Sequence, residues 1–238
     1  MKKKKELLIC SFGLKPAHVT AETLSELKRC DAVFTHCLDE ATASFLRPFC
    51  RELHFLRDLT PARIAARLMA YLAGGGRAAF VTYGNPLFLN VTTRRVASRV
   101  EAAGAAVRVL EAVSSLDALV NALDLNRFSV GGLRLVDLSA CDCLPEITPG
   151  MDTLFFMASD LNLPGFAGAR PRFFAALLKA YPPGHRAVLA DCDNFRPGRL
   201  LESSVKGLAA DIKKAGVATT LFIPEVPLRA AKKKKPSS

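Results

Sequence analysis

Apolar residues recur along this chain in two alternating rhythms. Short unbroken runs at residues 7–12, 32–34, 53–56, 77–82 and 107–110 have the length and composition of buried strands. Between them the apolar positions fall three and four apart, as on one face of a helix. Thr20 is placed to cap a helix over 20–29, with Glu22 in its first turn. A short helix is predicted over 40–47. Ile64, Ala65, Leu68, Met69 and Leu72 form a stripe over 62–73, closed by Gly74-Gly75-Gly76. Val96, Val100 and Ala103 do the same over 92–103, stopped by Gly104. Ser114 or Ser115 then caps a helix with Leu116, Leu119, Val120 and Leu123 inward. Strand, helix, strand, helix in this order predicts a mostly parallel sheet covered on both faces.

Near Asn126 the rhythm loosens. Strands are predicted at 133–138, 153–157, 187–190 and 219–223, and helices at 172–180 and 200–215, the latter ended by Gly216. Residues 159–169 read as a polar loop with Gly and Pro. The organisation expected is two α/β domains, at 6–126 and 129–230, between basic tails at 1–5 and 231–238.

Half of the 238 residues are hydrophobic, ample for a sizeable core. No apolar run approaches a membrane span, and the start MKKKKELLIC lacks a signal-like apolar region, so a cytoplasmic protein is expected. The net charge of +11 changes the picture less than its size suggests. Lys2–Lys5 and Lys232–Lys235 hold eight of the positive charges, which leaves +3 for the rest. No aromatic-basic interleaving accompanies them, so no specific nucleic-acid role is expected. The seven cysteines are irregularly spaced and contain no C-x-x-C, which argues for free thiols and against a metal site.

Several phosphate and nucleophile motifs are missing. The first strand feeds Ser11-Phe12-Gly13-Leu14-Lys15-Pro16-Ala17-His18, whose single glycine is not a dinucleotide fingerprint. The triple glycine follows a helix and precedes a strand, the reverse of a Walker loop. No G-x-S-x-G elbow occurs. A doubly wound sheet still places its ligand at the carboxyl ends of strands, which directs attention to loops 13–18, 83–90 and 111–115. The second, inside VTYGNPLFLN, joins a tight turn to polar handles at Tyr83 and Asn85 and an apolar cover at Phe88 and Leu89.

On these residues the chain resembles the tetrapyrrole methylase family of S-adenosylmethionine-dependent methyltransferases. The likeness rests on residues 7–20 with Gly13, on Asp31-Ala32-Val33-Phe34, on YGNPLFLN, on EAVSSLDALVNALDL at 111–125 and on residues 152–158. The departures are specific. The family's glycine-rich opening is here Ser11-Phe12-Gly13-Leu14-Lys15-Pro16, its usual Asp before proline is Asn85, and Glu111-Ala112 replaces Pro-Gly. Tyr83-Gly84-Asn85-Pro86 and Gly13-Leu14 are similar to the borosin-type peptide backbone N-methyltransferases. That branch's catalytic arginine falls at Arg57 and its tyrosine at Pro61, which cannot take an amide proton.

The resemblance implies a two-domain α/β homodimer, with S-adenosylmethionine bound in a cleft between the domains and S-adenosylhomocysteine as product. It implies a cofactor site of Gly13, Tyr83, Gly84, Asn85, Pro86, Phe88, Leu89, Ser114, Ser115 and Met157, approached by residues 191–194. Arg57 and Tyr83 are the candidates for orienting or polarising the acceptor. The expected activity is methyl transfer to a tetrapyrrole-like small molecule or a peptide amide. The alternative is a catalytically inactive cofactor-binding or scaffold protein of the same fold.

Overall fold

A computed structural model describes residues 5–127, 129, 131–140, 144–192 and 198–226. The lysine runs except Lys5, together with Cys141, Cys143, Asp193 and Asn194, lie outside the described residues. The chain divides into two compact units between Ala118 and Leu119. Among the described residues no helix is long and apolar enough to cross a membrane.

In the first unit, five strands alternate with four helices: β1 (Lys5–Ser11), α1 (Ala21–Leu27), β2 (Ala32–Thr35), α2 (Glu40–Leu46), β3 (Leu53–Phe55), α3 (Pro61–Leu72), β4 (Gly76–Thr82), α4 (Val91–Ala102) and β5 (Ala106–Val109). A fifth helix, α5 (Ser115–Ala122), follows and runs past the division. The strands form one sheet in the order β3-β2-β4-β1-β5, every pair parallel. Lys5, expected in the tail, is the first residue of β1 and pairs with Gly76.

Alternation along β1 sorts its side chains into two cores. Leu7 and Ile9 join Ala78 and Phe80 of β4 beneath Ile64, Leu68 and Leu72 of α3 and Val96 and Val100 of α4. Leu8 and Cys10 join Ala79 and Val81 on the other face, with Leu27 of α1 and Ala43 and Leu46 of α2. Burial on both faces explains why β1 and β4 are almost wholly apolar. Each fully buried Leu or Ile contributes roughly 1.5–3 kcal/mol.

The helix starts follow from short side chains that meet the first free N–H groups. The side chains of Thr20, Asp39, Thr60 and Asn90 accept from Thr23, Thr42, Arg63 and Thr93. Pro61 is the first residue of α3, where a missing N–H costs nothing.

The second unit contains β6 (Leu133–Asp137), β7 (Asp152–Phe156), α6 (Ala169–Ala180), β8 (Arg186–Asp191), β9 (Leu200–Ser204), α7 (Leu208–Asp211) and β10 (Thr219–Ile223). Its sheet, ordered β6-β7-β10-β8-β9, is mixed: β6 and β7 are parallel, and the other pairs are antiparallel. Phe155, Phe173, Leu177, Leu189, Leu208 and Leu221 are among its core residues.

Three sequence expectations change. The helix expected over 200–215 begins instead as strand β9, antiparallel to β8, with Glu202 holding Arg186 by Oε1–Nη2 at 2.6 Å. Leu201, Val205, Leu208 and Ile212 mimic a helical stripe, but the helix starts only past Gly207, whose N–H donates to Ser204 Oγ. The loop expected over 159–169 holds two 3-10 turns, Ala158–Asn162 and Pro164–Phe166, with Leu161 buried. In α5 only Leu119 is fully buried; Leu116, Val120 and Leu123 are half-buried.

Candidate functional site

Strands β4, β1 and β5 are neighbours, so the loops that leave their carboxyl ends share one rim. These are the loops predicted to matter, and the structure ties them together. Gly13 and Gly84 form an isolated antiparallel bridge, the Gly84 N–H donating to the Gly13 carbonyl at 2.9 Å. Both glycines have left-handed backbone, with φ of 70° and 62°. The Tyr83 ring, half-buried, tilts against Phe12 with centroids 5.9 Å apart.

Asn85 links the second loop to the third. Its Nδ2 donates to the Ala112 carbonyl at 3.3 Å, and its Oδ1 accepts the Leu87 N–H at 2.9 Å. The Phe88 N–H closes the turn onto the Asn85 carbonyl. Pro86 is buried, Phe88 is half-buried, and Leu87 and Leu89 are exposed at 64% and 42%. Leu89 has a φ of 53°, a left-handed conformation that costs a non-glycine residue about 1–2 kcal/mol. Asn90 closes the loop by donating to Thr82 Oγ1 at the end of β4.

Ser114 and Asp117 cap α5 reciprocally. The N–H and Oγ of Ser114 both donate to Asp117 Oδ2 at 2.7 Å, while the Asp117 N–H donates back to Ser114 Oγ. Desolvation raises the Asp117 carboxyl, but these donors outweigh it and hold it below its usual range. Ser115 is the half-buried first residue of the helix.

One residue at this rim escaped sequence reasoning. His18 ends the 3-10 turn Pro16–His18, and a methyl group added at Gly13 would lie 2.5 Å from its Cβ. Its Nδ1 is buried, with no hydrogen-bond partner among the described residues. Burial and Lys15 hold the imidazole below its usual range, against the pull of Asp117. The histidine stood in a loop already singled out, but nothing in the sequence shows that the chain folds back from Gly13 onto it.

Arg57 stands elsewhere, after β3, which β2 separates from β4. Its Nη2 reaches Glu40 Oε1 at 3.2 Å and the Leu38 carbonyl at 3.4 Å, and the guanidinium lies 5.0 Å from the Phe55 ring centre. It helps line a hollow of about 550 Å³ with His36, Cys37, Leu38, Asp39, Glu40 and Asp58. The structure therefore brings Gly13, Tyr83, Gly84, Asn85, Pro86, Phe88, Leu89, Ser114 and Ser115 to one rim, and does not place Arg57 among them. Met157 belongs to the second unit, where it turns the chain after β7 with a left-handed φ of 57°. Among the described residues no group of three side chains could hold a metal ion.

Comparison with solved structures finds the same fold at low identity. Uroporphyrin-III C-methyltransferase from Thermus thermophilus is 17% identical, with a TM-score of 0.71 over 94% of this chain and 93% of that one. The cobalamin biosynthetic enzyme cobalt precorrin-4 methyltransferase CbiF is 14% identical, with a TM-score of 0.73 over 92% and 95%. A Thermus thermophilus uroporphyrin-III C-methyltransferase complexed with S-adenosylhomocysteine is 15% identical, with a TM-score of 0.65 over 92% of each chain. No curated protein sequence matches the chain. The chain thus has a tetrapyrrole methylase-like fold, and residues 11–127 match the family of Tetrapyrrole (Corrin/Porphyrin) Methylases.

Proposed function

We propose that this protein is an S-adenosylmethionine-dependent methyltransferase. The observation that carries the reading is the joining of loops 13–18, 83–90 and 111–115 at the carboxyl ends of three adjacent parallel strands, through the Gly13–Gly84 bridge and the Asn85–Ala112 bond. The residues present fit that cofactor. Two left-handed glycines keep side chains away from the rim, and Tyr83, Asn85, Phe88 and Leu89 offer polar handles beside apolar cover. Loop 83–90 has no charged residue, which suits a cofactor bearing a sulfonium and a neutral nucleoside rather than a pyrophosphate.

When bound, S-adenosylmethionine supplies an electrophilic methyl group. The chain then has to orient the acceptor's nucleophile and, where it carries a proton, provide a group to take it. Pro61 opens α3 and cannot do so. Tyr83 and Arg57 remain the candidates for orienting the acceptor, a tetrapyrrole-like molecule or a peptide amide.

Calorimetric titration of the purified protein with S-adenosylmethionine and S-adenosylhomocysteine tests the reading. Micromolar binding of both is expected. A folded protein that binds neither turns the choice to a scaffold of the same fold.

A further inference from the structure

We propose that His18 is a cofactor contact, its Nδ1 hydrogen-bonding the neutral adenosyl half of S-adenosylmethionine; this rests on the methyltransferase reading above. Four observations converge on it. The ring stands on the rim where the Gly13 and Gly84 loops are bridged. The close approach of Gly13 to the His18 Cβ fixes where the side chain leaves the backbone. The residue is only half-buried, yet its Nδ1 is turned out of water with no hydrogen-bond partner among the described residues. A buried polar atom in that condition costs about 1–3 kcal/mol, which a ligand bond recovers.

Because no hydrogen bond holds Nδ1 inward, rotation about χ2 forfeits none. That rotation exchanges Nδ1 with Cδ2 and turns the nitrogen away from its present burial. The charges around the ring select which part of the cofactor it meets. The Asp117 carboxylate disfavours the cofactor's own carboxylate, and the Lys15 ammonium disfavours its amino group. The neutral nucleoside meets neither objection. Burial keeps the imidazole uncharged near neutral pH, with one N–H and one lone pair for a ribose hydroxyl or a base edge.

The test compares H18A, H18N and H18Q with the wild type by calorimetric titration, using S-adenosylhomocysteine, 5′-methylthioadenosine and methionine as probes. Asparagine reproduces the position of Nδ1, whereas glutamine reproduces that of Nε2. H18A is expected to lose about tenfold in affinity for both adenosyl probes, equal to one neutral hydrogen bond. H18N is expected to recover most of the loss and H18Q little of it. In the wild type, the His18 Nδ1 resonance in a 15N-labelled sample is expected to shift on adding 5′-methylthioadenosine and to stay put with methionine.

Unchanged binding in H18A, beside normal wild-type binding, overturns the inference and leaves the methyltransferase reading intact. Recovery by glutamine alone overturns the assignment to Nδ1. A wild type that binds no adenosyl probe removes both. Thermal melting identifies a misfolded H18A; the comparison of H18N with H18Q and the wild-type resonance then decide the matter.

Discussion

Gly13 and Gly84 share a hydrogen bond across two loops, yet their surroundings differ sharply. A Cβ at Gly13 would lie 2.5 Å from His18 Cβ, whereas one at Gly84 would meet only Leu14 Cδ2 at 3.9 Å, an ordinary contact. Both positions have positive φ, so alanine at either is strained by about 1–2 kcal/mol. G84A should cost about that much. G13A should cost clearly more, because the His18 turn must also move. Urea denaturation of the two variants measures the difference.

Asn85 uses both ends of its amide, one toward Ala112 and one toward Leu87. Aspartate keeps the acceptor but puts a carboxylate oxygen against the Ala112 carbonyl. N85D should therefore lose about 1–3 kcal/mol of stability, although aspartate is the residue the resemblance would place there. Denaturation at neutral pH, where the new side chain is ionised, checks this.

Leu89 combines exposure with a left-handed backbone, a poor combination for stability alone. Asparagine tolerates that conformation better. L89N should raise stability by up to about 1 kcal/mol while weakening S-adenosylhomocysteine binding, as expected of a residue kept for its ligand. A variant that gains stability and binds as well as the wild type would remove Leu89 from the site.

At the opposite end of the sheet, Glu26 accepts from Arg77 Nη2 at 2.5 Å and from Arg29 Nη1 at 3.2 Å, with Arg108 Nη1 at 3.6 Å. The Arg77 hydrogen bond, chiefly, holds its carboxyl below the ordinary 4.5, against the desolvation that raises it. A depressed carboxyl stabilises the fold above its unfolded pKa and loses that contribution as pH falls through the folded value. The melting temperature should therefore drop as the medium is acidified below about pH 4.5. E26Q should be less stable at pH 7 and show a shallower acid loss. Thermal melts from pH 7 to pH 3 compare the two slopes.

Much of the first unit was legible because its strands are buried on both faces and its helices carry short capping side chains. Thr20, Thr60 and Ser114 all mark helix starts in the sequence and in the structure. The three loops could be nominated because parallel strands send their carboxyl ends the same way. The bond from Asn85 to Ala112 could not, since it spans 27 positions and depends on β1 lying between β4 and β5. Strand β9 was missed because Leu201, Val205 and Leu208 satisfy a helical period by coincidence, and only pairing with β8 decides the outcome. Arg57 looked available in sequence, but its nearest acid proved to be Glu40, supplied by a different helix.

The parallel sheet of the first unit gives its two ends different evolutionary freedom. The amino-terminal end is tied by ion pairs among Glu6, Glu26, Arg77 and Arg108, so mutations there are tested first by whether the chain still folds. The carboxyl-terminal end presents Leu87, Leu89 and the Arg57 hollow on loops outside the two cores. A lineage can vary those loops, and with them the molecule that is methylated, while inheriting the scaffold unchanged.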